Sequence, residues 1–252
     1  GVAYTTACTV GFAPSQPPTA TDIQGIFDRI APVYDELNQR LSFGLHRIWK
    51  RMAVRWSEAS TGQTCLDLCC GSGDLALMLG EQVGPDGTVY GVDFSADQLA
   101  MARQRSQQKG LSDRIHWTLG DALSLPFDAA TFDAATMGYG LRNLTDIPKG
   151  LTELRRVLKP GAAAAILDFH QPQNALMQQF QQWYLDHVVV PAARDLGLKQ
   201  EYAYIAPSLD RFPPGREQVR LAQQAGFDKA VHYTLAGGLM GVLVVRRGHE
   251  LV

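Results

Sequence analysis

Apolar residues recur along the chain in two spacings, and their alternation predicts a succession of strands and helices. Apolar residues three and four positions apart are typical of amphipathic helices, whereas short continuous apolar runs are typical of buried strands. Strands that alternate with helices favour an α/β protein with a mostly parallel sheet, covered by helices on both faces. The predicted strands are Thr64–Leu68, Val89–Asp93, Ile115–Leu119, Phe132–Met137 and Ala162–Asp168.

Start and stop residues delimit the helices between these strands. Ser95-x-x-Gln98 has the form of a capping box and opens a predicted helix that runs to Gln108. The helix Asp146–Leu158 is ended by Lys159-Pro-Gly161, because proline and glycine stop helices. The last predicted elements are a helix at Glu217–Ala225 and an antiparallel pair of strands at the sheet edge, Lys229–Leu235 and Gly241–Val245.

An aromatic, Gln-rich segment, Asn174–Phe212, interrupts the alternation of strands and helices. Its apolar residues recur at helical spacing, opposite a face of glutamines. Such a stripe usually belongs to a hydrophobic core. The residues of this aromatic stripe are Leu176, Phe180, Trp183, Tyr184 and His187.

These patterns divide the chain into a tail and one predicted domain, residues 22–252. Residues 1–21 carry no charged side chain and are predicted to be loose and disordered. Their hydroxyl-rich composition is compatible with the remnant of an organelle transit peptide, although arginine is absent; an end set by cloning is the alternative. Within the domain we expect a helical cap (22–60), a cofactor-binding core (61–170), a substrate-side insertion (171–216) and a C-terminal helix with edge strands (217–252).

Composition narrows the class of protein. The 252 residues are 46% hydrophobic and 19% charged, which is typical of a globular protein with a substantial core. A formal net charge of −2 provides no basic field to attract nucleic acid. No uncharged apolar run approaches the roughly 20 residues that span a bilayer. The four cysteines have neither a zinc spacing nor a disulfide pattern, so we expect small buried residues in a reducing compartment.

The turn after the first strand carries the candidate chemistry. Residues 64–74 end a strand in a carboxylate and pass through two glycines into a helix, a pattern that binds nucleotides at the carboxyl end of a strand. Gly71-x-Gly73-x-x-Ala76, with Asp93 20 residues after Gly73, satisfies the loose dinucleotide fingerprint. An NAD-dependent oxidoreductase is therefore one hypothesis.

Three features favour S-adenosylmethionine over NAD. Asp67, four residues before Gly71, would repel a pyrophosphate but suits the cationic sulfonium and amine of S-adenosylmethionine. Gly120-Asp121-Ala122 follows the third strand and offers a side chain and a backbone N–H to an adenine edge. The Tyr-x-x-x-Lys pair of short-chain dehydrogenases does not occur.

Several longer motifs carry a family resemblance that extends from about Ile23 to Arg247. They resemble the motifs of the ubiquinone/menaquinone biosynthesis C-methyltransferases. The last three motifs in the list below resemble the photosynthetic branch of that family, which methylates 2-phytyl-1,4-naphthoquinol. The motifs are Phe27–Asp35, Phe43–Lys50, Asp67–Asp74, Leu125–Phe127, Phe132–Asp133, Gly140–Asn143, Arg156–Gly161, Met137–Gly140, Gln182–Pro191 and Ala236–Gly241.

The resemblance implies a fold, a cofactor and a reaction. The fold is that of class I S-adenosylmethionine-dependent methyltransferases, a Rossmann-like, seven-stranded, mostly parallel sheet with an N-terminal helical cap. The expected reaction is methylation of the ring of a prenylated demethylnaphthoquinol, most readily demethylphylloquinol to phylloquinol. The alternatives are a demethylmenaquinol or benzoquinol acceptor, or a non-catalytic subunit that binds S-adenosylmethionine.

A prenylated substrate also implies a place in the cell. Because a phytyl tail resides in a bilayer, weak peripheral membrane contact is expected, although no basic amphipathic anchor is evident. The expected compartment is the chloroplast, or alternatively a cyanobacterial cytoplasm with thylakoid association. The aromatic stripe and the cap are then suited to enclose a prenylated ring.

The resemblance implies roles for individual residues. Arg142 and Asn143 are the expected catalytic residues, with Arg142 as a stabiliser of an aryl oxyanion; the alternative is a structural arginine. No metal site is expected. His46, His170 and His232 are further candidates for a proton acceptor. The expected cofactor-binding residues are Tyr34, Asp67, Gly71, Ser72, Gly73, Asp93, Phe94, Asp121, Ala122 and Gly138.

Three residues depart from the family's pattern. Ala162 replaces the second glycine of Lys-Pro-Gly-Gly, and His170 stands where small polar residues are usual. Gly138 replaces a common hydroxyl residue, so one cofactor contact would have to come from the backbone or be lost.

Overall fold

A computed structural model describes residues 44–195, 197 and 205–249, together with residues 19, 21, 24, 25, 28 and 42. Within this part of the chain, one sheet contains seven strands in the order β3-β2-β1-β4-β5-β7-β6. Neighbouring strands are parallel except β7, which is antiparallel to both β5 and β6. The strands are β1 (Thr64–Leu68), β2 (Thr88–Asp93), β3 (Ile115–Leu119), β4 (Phe132–Gly138), β5 (Leu158–Phe169), β6 (Lys229–Leu235) and β7 (Met240–Arg246).

Helices connect the strands and continue into the predicted insertion. A π-helical segment, Leu185–Val189, joins two of them, and a short 3-10 helix, Leu141–Asn143, follows β4. The α-helices are α1 (Leu45–Trp56), α2 (Asp74–Val83), α3 (Ala96–Gln108), α4 (Ile147–Val157), α5 (Ala175–Tyr184), α6 (Val190–Asp195), α7 (Ile205–Arg211) and α8 (Gly215–Gln224).

The sheet is covered on both faces, as the alternation of elements predicted. One buried cluster joins strand residues to Leu151 and Leu154 of α4 and Ala222 of α8. The other joins strand residues to Ala53 of α1 and Leu79 of α2. The predicted antiparallel pair at the edge is also confirmed, with β6 outermost.

The start of β5 differs from the prediction. The sequence predicted a strand from Ala162, but the strand begins at Leu158, which pairs with Phe132 of β4. The next pair is Ala134 with Ala163, so the intervening residues bulge out of the ladder. Gly161 adopts φ 83° within this bulge, a conformation that glycine tolerates without strain. The glycine that was expected to end a helix therefore also bends a strand.

The aromatic stripe lies at the surface, contrary to the usual position of such stripes. Leu176, Phe180 and Trp183 are 72%, 44% and 52% exposed, and no residue of α5 is buried. Two glutamines of the helix bond to the protein: Gln178 donates a hydrogen bond to the Pro172 carbonyl, and Gln181 to the His170 carbonyl. The apolar residues of the stripe on α5 therefore face solvent, and two of its glutamines bond to the protein backbone.

The predicted helical cap is described only in part. Within the cap predicted at 22–60, the structure shows α1, which begins after Gly44 in a left-handed conformation, φ 79°. The helices predicted within residues 22–40, including Tyr34, lie outside the described residues apart from isolated positions, as does the tail 1–18.

Candidate functional site

A cavity opens where the carboxyl ends of β1, β2 and β4 meet. The chain order reverses here, because β2 lies on one side of β1 and β4 on the other. Ligands of open α/β sheets bind at such a switch point. The predicted site residues that line this cavity are Asp67, Gly71, Ser72, Asp93, Phe94, Asp121, Ala122, Gly138 and Asn143.

The turn after β1 is built from left-handed backbone. Cys69, Gly71 and Gly73 have φ values of 53°, 54° and 93°. A Cβ atom at Gly73 would lie 2.7 Å from the ring of Trp117, so this position requires glycine for space as well as for conformation. Gly73 precedes the first residue of α2 and is not among the residues that line the cavity. Its contribution is to aim the start of α2 at the cavity.

Asp67 places a buried carboxyl group at the end of β1. Its side chain accepts a hydrogen bond from Thr136 through Oδ1 (2.9 Å). Oδ2 is buried and has no hydrogen-bond partner within the described residues. Burial raises the pKa of Asp67 to about 8, although Thr136 and Lys50 act in the opposite direction. An unpaired buried carboxylate is costly unless a ligand supplies a partner, and a cationic group is the best one.

Asp93 ties two segments of the site together. Oδ2 accepts a hydrogen bond from the Gly71 N–H (2.8 Å), and Oδ1 accepts one from the Ser95 N–H (2.9 Å). Burial raises the pKa of this carboxyl, and the backbone donors oppose that effect. Each carboxylate oxygen can accept a second hydrogen bond, so Asp93 retains capacity for two ribose hydroxyls.

The loop after β3 and the end of β4 form the remaining walls. Asp121 is exposed and accepts a hydrogen bond from the Leu123 N–H (2.9 Å), which closes the turn, while Ala122 is buried. At Gly138 a Cβ atom would lie 2.7 Å from the side chain of Leu75, another lining residue. A hydroxyl residue at Gly138 would require Leu75 to move.

The two predicted catalytic residues have different surroundings. Asn143 is buried against the cavity, donates to the Tyr139 carbonyl (3.0 Å), and its Oδ1 has no hydrogen-bond partner among the described residues. Arg142 does not line the cavity. Its side chain pairs with Asp168 (3.2 Å), donates to Ser208 Oγ (2.7 Å) and lies over the Phe169 ring.

The candidate histidines lie away from the cavity. The Gly215 N–H donates to Nε2 of His170, so Nδ1 carries the proton and donates to the Gly238 carbonyl (2.9 Å). Both ring nitrogens of this histidine are thus in use. His46 bonds to Ser42, and burial lowers the pKa of His46 and His232 to about 4. None of the three lines the cavity.

The thiols near the site are unpaired and protonated. Cys65, Cys69 and Cys70 form no disulfide, and burial raises the pKa of each well above its ordinary value. The prediction of small buried thiols is met at Cys65 and Cys70, while Cys69 is half-buried. Within the described residues, no cluster of three or more metal-ligating side chains is present.

Two charged residues that line the cavity, Lys50 and Asp74, were not among the predicted site residues. They form a buried ion pair between α1 and α2. A signal was available, because His46 and Lys50 stand four positions apart on the buried face of α1, where apolar residues are expected. A polar pair in that position indicates a site rather than a core.

These residues fit S-adenosylmethionine. The unpartnered oxygen of Asp67 suits a cationic amino group, the glycine turn admits a ligand close to the backbone, and Asp93 suits a ribose. A pyrophosphate, in contrast, would meet the carboxyl group of Asp67 at the base of the turn. The donor set therefore favours a sulfonium nucleotide over a dinucleotide.

Comparisons with known proteins agree with this fit. Residues 16–247 match the ubiE/COQ5 methyltransferase family. A "2-phytyl-1,4-naphtoquinone methyltransferase" of Trichormus variabilis is 62% identical over 226 residues, which cover 90% of this chain and 99% of the relative. A "2-phytyl-1,4-beta-naphthoquinone methyltransferase, chloroplastic" of Arabidopsis thaliana is 51% identical over 88% of this chain and 86% of the relative.

A solved structure supports the fold independently. A SAM-dependent methyltransferase from Aquifex aeolicus superposes with a TM-score of 0.59 at 19% identity, over 78% of this chain and 88% of that one. The family match covers most of the chain, and the relatives exceed half identity over nearly their full length. The chain therefore belongs to the ubiE/COQ5 methyltransferase family, and S-adenosylmethionine is its cofactor.

Proposed function

We propose that the chain methylates a ring carbon of a prenylated demethylnaphthoquinol, with 2-phytyl-1,4-naphthoquinol as the preferred acceptor. The observation that carries this proposal is the 62% identity to a relative named for the phytyl naphthoquinone, over 99% of that relative. The cavity supports it, because Asp67 and Asp93 suit the cofactor and Asn143 offers beside it an oxygen that has no partner within the described part of the chain.

The residues of the chain contribute alignment and electrostatic stabilisation. Bound S-adenosylmethionine supplies an electrophilic methyl group on a sulfonium, with a thioether as leaving group. Proximity and alignment of two bound reactants lower a barrier by up to roughly 7–11 kcal/mol. Asp67 orients the amino-acid part of the cofactor, Asp93 binds the ribose, and Asp121 with Ala122 holds the adenine. Tyr34, outside the described residues, closes over the cofactor in this proposal.

Activation of the acceptor requires stabilisation of the oxyanion that forms when a quinol hydroxyl loses its proton. Arg142 stays protonated in a protein, so it stabilises the oxyanion rather than removing the proton. Its neighbour Asn143 lines the cavity, whereas the guanidinium is held by Asp168 and Ser208. An ordered water between the guanidinium and the acceptor completes the proposed contact.

Peripheral membrane contact follows from the proposed acceptor. A phytyl tail partitions into the bilayer, and the exposed Leu176, Phe180 and Trp183 form an apolar face on a helix with no charged residue. Aromatic side chains of this kind favour the membrane interface. Among the described residues, no helix combines the length and apolar character needed to cross a bilayer. We propose that α5 rests on the lipid surface.

The proposed compartment is the chloroplast, with a cyanobacterial cytoplasm as the alternative. One relative is named chloroplastic and others come from cyanobacteria. A fluorescent fusion of the full chain, expressed in a plant cell, should coincide with chlorophyll fluorescence; a diffuse cytosolic signal would contradict the plastid assignment.

One assay tests the proposed reaction. Purified protein is incubated with labelled S-adenosylmethionine and a panel of reduced demethylquinones that differ in ring and tail, and products are identified by mass spectrometry. We expect ring methylation of phytyl naphthoquinol at the highest kcat/KM, with slower turnover of demethylmenaquinols and benzoquinols. Methyl transfer to oxygen, or cofactor binding without any turnover, would contradict the proposal.

A further inference from the structure

The charged side chains that line the cavity, in the described part of the chain, are one lysine and several aspartates. Lys50 is the only cationic side chain among the described residues that line the cavity, whereas three acids of the predicted site, Asp67, Asp93 and Asp121, also line it. Lys50 is only 5% exposed, on the buried face of α1. Burial of a lysine is unfavourable unless a specific anion compensates it.

Asp74 compensates Lys50 only in part, because it has a second cationic partner. Lys50 pairs with one oxygen of Asp74, and Arg105 pairs with the other. Burial alone would raise the pKa of Asp74, yet the two cations hold it well below its ordinary value, so Asp74 is ionised. Asp74 therefore shares its single negative charge between Lys50 and Arg105.

Lys50 lines the same cavity as Asp67, in the part that suits an amino acid. Lys50 is close enough for its charge to lower the pKa of Asp67, whose Oδ2 is unpartnered among the described residues. The ammonium also lies 5.7 Å from the centre of the Tyr139 ring, which lines the same wall. A zwitterionic amino acid needs both an anion and a cation as partners, and Asp67 and Lys50, which line the same cavity, provide them.

We propose that Lys50 binds the α-carboxylate of S-adenosylmethionine, while Asp74 and Arg105 hold its side chain in position. Arg105 makes this possible, because it keeps Asp74 neutralised when Lys50 shares its hydrogen bonds with the incoming carboxylate. Arg105 also donates to the Ser72 carbonyl (2.9 Å), which ties the trio to the glycine turn. The assignment rests on the cofactor of the proposed function and is independent of the acceptor quinol.

The test compares two ligands that differ only in the carboxylate, S-adenosylmethionine and decarboxylated S-adenosylmethionine, by calorimetry on the full chain. The wild type should prefer S-adenosylmethionine by about tenfold or more. Lys50→Met should weaken S-adenosylmethionine by about tenfold while leaving the decarboxylated ligand within about twofold. Lys50→Arg should retain most of the preference. Arg51→Met, an exposed residue on the same helix, is the matched control and should change neither affinity.

Equal weakening of both ligands by Lys50→Met would reduce Lys50 to a structural role and overturn the proposal, as would no weakening of either. Should Lys50→Met fail to fold, Arg105→Met carries the test: Lys50 is then held by Asp74 alone, and the preference should fall by about threefold or more. An unchanged preference would overturn the proposal. A wild type that distinguishes the two ligands but methylates no naphthoquinol would contradict the proposed function and leave Lys50 assigned.

Discussion

At the residue scale, Asp67 combines a buried carboxyl group with a hydrogen bond to Thr136 and an oxygen that has no partner among the described residues. Its pKa of about 8 means that folding takes up a proton between the ordinary value and pH 8. The unfolded chain binds fewer protons in this range, so the stability that Asp67 contributes falls as the pH rises toward 8. Ligand binding and folding therefore make opposite demands on this residue.

Asp67→Asn should stabilise the ligand-free protein and weaken its cofactor binding. We expect the free energy of unfolding at pH 8 to rise by about 1–3 kcal/mol, because the costly buried charge is gone. The affinity for S-adenosylmethionine should fall by about tenfold or more, since a cationic group loses its anion. Thermal unfolding and calorimetry measure the two effects. Asp133→Asn, at the opposite end of the strands, is the control for affinity; an Asp67→Asn variant with normal affinity would contradict the expected role.

Arg142 requires a test that separates catalysis from folding. Arg142→Ala should reduce turnover by about a hundredfold while the cofactor affinity stays within about threefold, because an oxyanion donor acts on the transition state. It should also destabilise the fold by about 3–5 kcal/mol, because buried Asp168 loses its partner.

The double variant Arg142→Ala/Asp168→Asn decides between the two roles. Removing the unpaired carboxylate should restore much of the stability while turnover stays low. Recovery of turnover together with stability would assign Arg142 to the structure alone. Arg220→Ala, in an exposed ion pair on α8, should leave turnover unchanged.

At the element scale, α5 presents Phe180 and Trp183 to solvent, while Gln178 and Gln181 bond to the protein backbone. Trp183→Ser or Phe180→Ser should reduce the fraction of protein that floats with galactolipid vesicles containing the quinone by about threefold, because each removes apolar area from the proposed contact. Val231→Ser, an exposed apolar residue of β6, is the control and should float like the wild type. Equal flotation of all variants would exclude α5 as the membrane-contacting surface.

Helix α5 also shows what can and what cannot be predicted from the sequence. Periodicity identified the stripe correctly, but it defines a face and not the direction in which that face points. The direction depends on Gln178 and Gln181, which bond to backbone carbonyls of the segment that precedes the helix. The periodicity of α5 contains no information about these bonds. The strands and the glycine turn were predictable because their signals are local. The partners of Arg142, and the pairing of Lys50 with Asp74, arise from contacts between separate elements that no local pattern encodes.

At the scale of the whole molecule, pH should act on stability in two opposed ways. Burial lowers the pKa of His46 and His232 to about 4, so between pH 6.5 and 4 the unfolded chain binds more protons than the folded one. Stability therefore falls as the pH drops through this window. The contribution of Asp67 falls instead as the pH rises toward 8, so these three groups together place the optimum of the ligand-free protein near pH 6.5.

Urea unfolding across this range checks the prediction. The free energy of unfolding should fall by about 1–2 kcal/mol for buried His46 between pH 6.5 and 4.5, with a smaller effect for half-buried His232. His232→Gln should flatten the acid side, and Asp67→Asn the alkaline side. A profile in which neither variant alters its own side would contradict the assignment of these groups.

The attachment of α5 through the hydrogen bonds of Gln178 and Gln181 has a consequence for its movement. A helix docked through leucines loses about 1.5–3 kcal/mol for each side chain that it withdraws from a core, whereas an amide hydrogen bond exchanged for water costs only about 0.5–1.5 kcal/mol. Displacing α5 would therefore expose little apolar surface in the rest of the protein, because no residue of this helix is buried. Movement of α5 would thus cost less free energy than movement of a core helix such as α4, which contributes Leu151 and Leu154 to a buried cluster.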